Sequence, residues 1–591
     1  MARQNFLPLA TLGTFMLGAA VGCSGAITAP GGPSASQPGG NGSDPGAGGA
    51  TNPGGGAGGG SNPGGSGVIP PGGGGGGSSA TPGDPNTAGT MPLLRLTRRE
   101  YNNTIRDLLN DNSNPADAFP LDRESEFLFR RAGLVASQDL ETMRDAAQNV
   151  AAGVEAKAQT LAPCAAGADE TACAKKFVGG FGLRAFRRPL ATEESDRLMA
   201  LYQAGRSTLS LSYAGGIRLI VEGILQSPSF VYHWELGNNA PTVEGSLVRL
   251  NPYETAARLS YFLWSSMPDQ ALFDAAAGNK LGTVAELEAQ AKRMLADAKA
   301  HDTVAGFADE WLNLDQIADR PKDPAVYPEF KDDLKAAMTA EVRSFISGIM
   351  ADGDARLASL LMATTSFVNQ PLAAVYGLAG VQGTAMKPMN LDSAQRAGLL
   401  TRAGFLTVTG ATDGSHPVKR GRRVYERLLC GVLPAPPKDV PPAGDASMGG
   451  TTRQRFESHD KNPCTGACHQ VMDKLGFAFE HYDGIGKYRS TDNGGNVDSS
   501  GSIDLDGAAH GFTDARDLSR QLAGSPTVAR CFATQWLRYA FKRLDTEADH
   551  ASLDTITGAL NKSNSITDML VGVVGTKSFR YRTPGTGEKL Q

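Results

Sequence analysis

The chain has 591 residues, with 56 Lys and Arg against 61 Asp and Glu and a formal net charge of −5. It contains no strongly basic block, which excludes an electrostatic nucleic-acid binder. Beyond the N-terminus no apolar run approaches ~18 residues, which excludes a polytopic helical membrane protein.

Residues 1–22 read as a signal peptide, with Arg3 as the one basic residue and an apolar run from Phe6 to Val21. Small residues at Ala20, Val21 and Gly22 stand directly before Cys23. This ending resembles a bacterial lipoprotein signal, which implies cleavage before Cys23, lipid on its sulfur and, with Ser24 rather than Asp following, the outer membrane. An ordinary signal peptide with a chance cysteine is the alternative. The next 67 residues, 24–90, hold 26 Gly and 10 Pro, with Asp44 and Asp84 as the only charges. Such a composition cannot bury apolar surface, so residues 23–90 form a disordered tether with an end-to-end distance of about 45 Å. The membrane is therefore a partner reached through lipid, and the body from residue 91 hangs from it.

That body reads as mainly α, in five segments: 91–160, 161–240, 246–375, a Cys/His domain at 376–512, and 513–591. Thr97 and Glu100 form a capping box before Tyr101, Ile105, Leu108 and Leu109, which share one helical face. A second helix is predicted over about 142–158, and Thr192 can cap a helix carrying Leu198 and Leu201. Ile217, Ile220, Val221, Ile224 and Leu225 form a stripe stopped by Pro228. Asn251, Pro252 and Glu254 make a strong helix start, and the helix is apolar almost all round through Trp264. Thr283 and Glu286 cap the next, and the pattern continues through Phe307, Trp311, Leu312 and Leu314. Residues 434–442, rich in proline, read as an extended connector. Strand-like alternation is scarce; a small hairpin region is predicted near 495–507, with a turn at Ser499-Ser500-Gly501. Helices follow over 514–522, 529–542 and 565–574.

In an exported chain the cysteines can pair. Cys164 and Cys173 flank a short loop and predict a local disulfide. Cys430 and Cys531 remain for a second pair by parity. Cys464, Cys468 and His469 form the one dense cluster of ligand-type residues. Three chemistries fit it. Two thiols beside an imidazole can attach haem c, with His469 as the iron ligand, although that motif has two residues between its cysteines and this chain has three. Thiolates and imidazole also suit zinc or copper, with His459 or His481 completing the set. A plain disulfide beside a bystander histidine is the third. If His469 binds iron, its second ring nitrogen is expected to donate to a backbone carbonyl. Met472 reads as core, so the distal ligand is unassigned.

Other polar groups carry weaker signals. Asp413, Ser415 and His416 lie too close in sequence to form a relay without a nucleophile elbow, and read as a polar loop rim. Asp504 and Asp506 lack the remaining ligands of a calcium loop, which favours a turn. Lys419, Arg420, Arg422 and Arg423 read as a solvated or carboxylate-pairing face that could also meet haem propionates. Asp473, Glu480 and Asp483 read as caps and ion-pair partners.

Asn462-Pro463 before the cluster and residues 470–489 after it resemble the planctomycete-type cytochrome-c-associated family, secreted proteins built from five consecutive domains of unknown function. Residues 96–109, 181–190, 251–314, 396–489 and 534–579 resemble its five domains in order. The resemblance implies one covalent haem on Cys464 and Cys468 with His469 on iron, and electron transfer or an oxidation with an unnamed redox partner and substrate. Against this stand a non-redox surface scaffold with a structural Cys/His knot, and a zinc- or copper-dependent enzyme. As an enzyme the chain would be an oxidoreductase, and no catalytic residue is assignable.

Overall fold

Helix starts are set by side chains that satisfy the first free amides. Thr97 accepts from the Glu100 amide while the Glu100 carboxylate takes the Thr97 amide at 2.9 Å, and α1 (Arg98–Leu109) buries Tyr101, Ile105, Leu108 and Leu109. The computed structural model describes residues 83–588 except 125–128, 134, 136, 237–242, 245, 352, 434–448 and 458–465. The signal peptide, Cys23, residues 24–82 of the tether, the proline-rich connector, His459 and Cys464 therefore lie outside the described residues. Residues 83–90, read as the end of the tether, are packed on the body instead: Ala88 is buried with Leu247 and Tyr581, and Thr90 bridges to Thr583.

The described residues are mainly α-helical, with short antiparallel strand pairs. In the first part α2 (Ser137–Glu155), α3 (Glu170–Phe186), α4 (Thr192–Ser207) and α5 (Tyr213–Leu225) pack with α1. Two boundaries differ from the sequence expectation. α2 starts five residues earlier than residue 142, because its first turn is polar and carries no apolar rhythm to read. Thr192 is the first residue of α4 and not its cap; Ala191 holds the cap position and donates its amide to Glu194 at 2.9 Å. Glu194 thus supplies its own half of a capping box, on the amide of residue 191, while alanine offers no side chain to accept from the first turn.

α6 (Pro252–Trp264) starts with the full capping box of Asn251 and Glu254, and α7 (Val284–Leu295) with that of Thr283 and Glu286. α8 (Ala298–Leu312) follows. Later come α9 (Pro417–Leu428), α10 (Gly466–Phe477), α11 (Ala515–Ala523), α12 (Pro526–Phe541) and α13 (Ile566–Gly575). The strands β1 (Gly501–Leu505) and β2 (Ala508–Phe512) form the expected hairpin, but its turn is Asp506-Gly507, both at positive φ (54° and 83°). A two-residue loop of type I′ demands that conformation at both positions and Asp-Gly supplies it. Ser499 instead sends its hydroxyl to the Thr513 carbonyl at 2.8 Å. No helix among the described residues is long and apolar enough to cross a membrane.

Among the described residues two large hydrophobic cores result, beside a small cluster of Ala88, Leu247 and Tyr581. The first gathers Tyr101, Ile105, Val150, Phe181, Tyr202 and Ile220, so residues from 91–160 and 161–240 share one interior. The second takes in Phe129 and runs from Ala256 in α6 to Phe579, and its centre is aromatic: Phe307 stacks on Trp536 at 3.9 Å and 13° and on Trp311 at 5.5 Å and 23°. Glu100 ties the two together through Lys542 at 3.1 Å.

Both expected disulfides are present. Cys164–Cys173 has its Cα atoms 5.6 Å apart and Cys430–Cys531 has them 5.4 Å apart. The first closes a loop of nine positions, for which chain entropy gives about 2–3 kcal/mol. The double variant Cys164→Ser/Cys173→Ser is expected to lose that amount in urea denaturation; a midpoint within error of wild type would remove the attribution.

Candidate functional site

Cys468 and His469 are neighbours in the first turn of α10, while Cys464 lies outside the described residues. His469 is 9% exposed, and its Nδ1 lies 3.2 Å from Oδ2 of the fully buried Asp473. The expected partner was a backbone carbonyl; it is a carboxylate. The reason is local: nearby carbonyls of a helix are taken by amides four residues on, whereas a side chain at i+4 sits on the same face. A carboxylate on Nδ1 holds the ring plane and makes Nε2 the more basic ligand nitrogen. Met472 is buried, as expected of a core residue.

α10 is seated on α9 by two glycines. A Cβ on Gly421 would stand 1.6 Å from the Met472 carbonyl oxygen, and one on Gly476 would stand 1.9 Å from that of Pro417. Only bare backbones fit there. One residue before Gly421, Arg420 is wholly buried and donates to the carbonyls of Phe479, Tyr482 and Asp483 at 2.8, 2.7 and 2.5 Å. Of the two readings of the basic run, carboxylate pairing holds at Arg420, which lies 3.9 Å from Glu480, and the solvated face does not; its donors also satisfy the carbonyls where the chain leaves α10. Arg422 does face outward and donates to Glu426 at 2.7 Å, whereas the half-buried Arg423 reaches the buried Asn313 at 3.0 Å.

The loop before α9 closes the site. Ser415 donates to Glu480 at 2.7 Å, and Arg489 donates to the same carboxylate oxygen at 2.8 Å. Burial pushes the Glu480 carboxyl up, against the pull of Arg420, Arg489 and Ser415. Asp483 caps the following turn, accepting from the amides of Ile485 and Lys487 at 2.9 Å. His416 caps α9, its Nδ1 facing the Lys419 amide at 3.4 Å, and Asp413 is exposed. With Ser415 committed to Glu480, these three side chains form no relay. His481 donates from Nδ1 to the Arg489 carbonyl at 2.9 Å and stacks on Tyr488. Asp506 accepts from Ser525 and the Thr527 amide, both at 3.1 Å, as a turn residue does. Two further residues of the site gave no sequence signal. Lys322 donates to the Ala411 carbonyl at 2.6 Å, and burial, with Arg420 and Lys419 nearby, pulls its ammonium down to about 7. The Tyr327 hydroxyl accepts the Gly484 amide at 3.0 Å.

Family models match five stretches, each described as a protein of unknown function: DUF1587 at residues 95–155, DUF1595 at 173–235, DUF1592 at 250–378, DUF1588 at 396–492 and DUF1585 at 509–579. The chain is a run of five consecutive domains of the planctomycete cytochrome-c-associated type. No curated protein and no solved structure matches it. Each block singled out in the sequence falls inside one of these matches. Cys464, Cys468, His469 and the whole Arg420–Glu480–Arg489 network lie in the DUF1588 domain, whereas Lys322 and Tyr327 reach in from the DUF1592 domain. The Cys430–Cys531 bridge joins the DUF1588 domain to the DUF1585 domain.

The DUF1588 site is sensitive to acid through His416. Burial, then the positive charges of Lys419 and Arg420, pull its imidazole from the ordinary 6.5 to about 4. The unfolded chain takes up that proton near 6.5 and the folded chain only near 4. Stability is therefore complete above pH 6.5 and falls as pH drops through this window, by about 3 kcal/mol in all. His416→Asn keeps a capping acceptor and is expected to flatten the midpoint of urea denaturation between pH 6.5 and 4. An unchanged slope would show that His416 is not the group responsible.

Proposed function

We propose that this chain is an exported c-type-cytochrome-like protein, anchored to the cell envelope through lipid on Cys23 and holding one haem in its DUF1588 domain. It takes part in electron transfer or in an oxidation. The observation that carries the reading is the His469–Asp473 pair: an imidazole beside a cysteine in the first turn of a helix, with a buried carboxylate on Nδ1 at 3.2 Å. This donor set fits an axial iron ligand, whose basicity is set by what its other nitrogen touches. Cys464 and Cys468 supply the two thiols for thioethers, and Gly466 is where the additional residue between them is accommodated. Haem supplies one-electron exchange when bound. The protein's share is to orient His469, to back α10 with the glycine-mediated contact to α9, and to keep the site rigid through Arg420 and Glu480. The five domain matches support a cytochrome-related role.

The test is expression with a haem-maturation system, followed by a pyridine haemochrome spectrum and a denaturing gel stained for haem. Covalent haem that disappears in Cys468→Ala supports the proposal. Stoichiometric zinc or copper without haem would replace it with a metal site, and a Cys464–Cys468 disulfide without either would replace it with a structural knot. Anchoring is checked separately: Cys23→Ala is expected to leave the membrane fraction, and its retention after a salt wash would show that lipid on Cys23 is not the anchor.

A further inference from the structure

A cleft of about 750 Å³ opens between the turn joining α3 to α4, the segment around residues 229–235, and the start of α6. Its volume is that of a small-molecule site, and it belongs to neither the Cys/His turn nor the network behind it. Among the described residues its lining sets four guanidiniums, those of Arg187, Arg188, Arg197 and Arg258, against the carboxylates of Glu194, Glu235 and Glu254. Two of the arginines are spent on carboxylates. Arg188 grips Glu194 with both terminal nitrogens at 2.8 and 2.9 Å, and the Ala191 amide and the Ser229 hydroxyl take the other acceptor positions of Glu194. Arg258 grips Glu235 through Nε at 2.7 Å and through Nη2. Burial raises the Glu235 carboxyl, but Arg258, His233 and Arg582 together hold it below its ordinary range, so the pair stays ionic. Glu254 accepts the Asn251 amide at 3.0 Å, where its charge meets the positive end of α6.

The other two arginines meet no carboxylate. Arg187, the C-cap of α3, is 4% exposed and stands at a φ of 59°. Its terminal nitrogens donate to the carbonyls of Ser229, Phe230 and Tyr232 at 2.8, 3.0 and 2.8 Å and to the Tyr261 hydroxyl at 3.4 Å, all neutral acceptors that leave its charge uncancelled. Arg197 is exposed at the rim. Its Nε donates to the Glu193 carbonyl at 3.0 Å, and its two terminal nitrogens make no hydrogen bond or ion pair among the described residues. A guanidinium fork left open in this way takes a carboxylate through two parallel N–H···O bonds, and the surplus positive charge favours an anion in the cleft. The same cleft carries apolar surface. Trp234 spends its indole N–H on the Pro228 carbonyl at 2.9 Å, which holds the ring in place, and Leu236 is 55% exposed. A fixed indole face suits a flat apolar ring. We propose that this cleft binds an organic anion, a carboxylate carried on an aromatic ring, with Arg197 on the carboxylate and Trp234 against the ring. The site is formed between the DUF1595 and DUF1592 matches, and it stands whether or not the DUF1588 domain carries haem.

The test is calorimetric titration of the purified full chain with cinnamate, beside cinnamamide, which has the same ring and no charge. Cinnamate is expected to bind with a Kd of about 1 mM or below, and cinnamamide about tenfold more weakly or worse. Arg197→Gln is expected to weaken cinnamate by about tenfold and to leave cinnamamide unchanged, with thermal melting also unchanged because the side chain is exposed and its terminal nitrogens hold nothing within the chain. Trp234→Ala is expected to weaken both compounds alike. The proposal is overturned if cinnamate does not bind at about 10 mM, if cinnamamide binds as tightly as cinnamate, or if Arg197→Gln binds cinnamate as the wild type does.

Discussion

Gly421→Ala is expected to destabilise the protein by about 3 kcal/mol, at the upper end for overpacking. The new methyl would meet the Met472 carbonyl oxygen at 1.6 Å and carbon at 2.6 Å, and the Gly476 nitrogen at 2.9 Å. All three are backbone atoms of α10, so no rotamer change relieves the clash and the helices must part. Gly476→Ala meets the Pro417 backbone in the same way, at 1.9 Å. Once either alanine has separated α9 from α10 the second costs little, so the double variant is expected to fall well short of the sum. Gly414→Ala is the control: a Cβ there has nothing within 4 Å and φ is not in the left-handed region, so its effect should stay within about 0.5 kcal/mol. Urea denaturation followed by tryptophan fluorescence compares all four. Equal midpoints for Gly421→Ala and Gly414→Ala would show that the helices do not cross this closely.

Replacing both Cys430 and Cys531 by serine is expected to cost about 4–5 kcal/mol, the larger of the two disulfide effects. The bridge spans 101 positions, and the entropy of closing so long a loop exceeds that of the Cys164–Cys173 loop by about 2 kcal/mol. Geometry favours the full effect, because the ends are already packed: Trp311 donates to the Arg427 carbonyl at 3.0 Å, and Cys531 is 3% exposed within α12. The enclosed segment includes Cys464, Cys468 and His469, so the bridge staples the ends of the loop that bears the candidate site to the aromatic core of α8 and α12. Proteolysis is expected to quicken within residues 430–465 in the double variant while the first core stays resistant. A loss no greater than that of the Cys164–Cys173 variant would mean that the unfolded chain is not constrained by the longer loop.

The candidate site was partly legible. His469 beside Cys468 stood out by residue type, and Asp473, read as a cap or ion-pair partner, is the carboxylate that faces His469 where a backbone carbonyl was expected. Arg420 was half legible: a carboxylate partner was expected and Glu480 is one, but within the run Lys419 to Arg423 nothing local separates the wholly buried arginine from the exposed Arg422. What turns it inward is the set of carbonyls at Phe479, Tyr482 and Asp483, about sixty residues on. Lys322 and Tyr327 carried no signal, because each acts on a backbone group that only the fold brings near.

By itself, the sequence determined the helical class, the starts of α1, α6 and α7 and both disulfide pairs, while the order of the five domains was legible only through a family resemblance. The former depend on short-range chemistry: a cap reads an amide two or three residues away, apolar rhythm follows the helical repeat, and parity limits how cysteines pair. The tertiary structure alone decided that 91–160 and 161–240 share one core, that Gly421 and Gly476 mark a backbone contact rather than two weak points in helices, that Ser415 serves Glu480, and that a cleft lies between the α3–α4 turn and α6. Those outcomes rest on groups far apart in the chain. Burial and hydrogen-bond satisfaction at such distances are settled by packing, which no local pattern encodes.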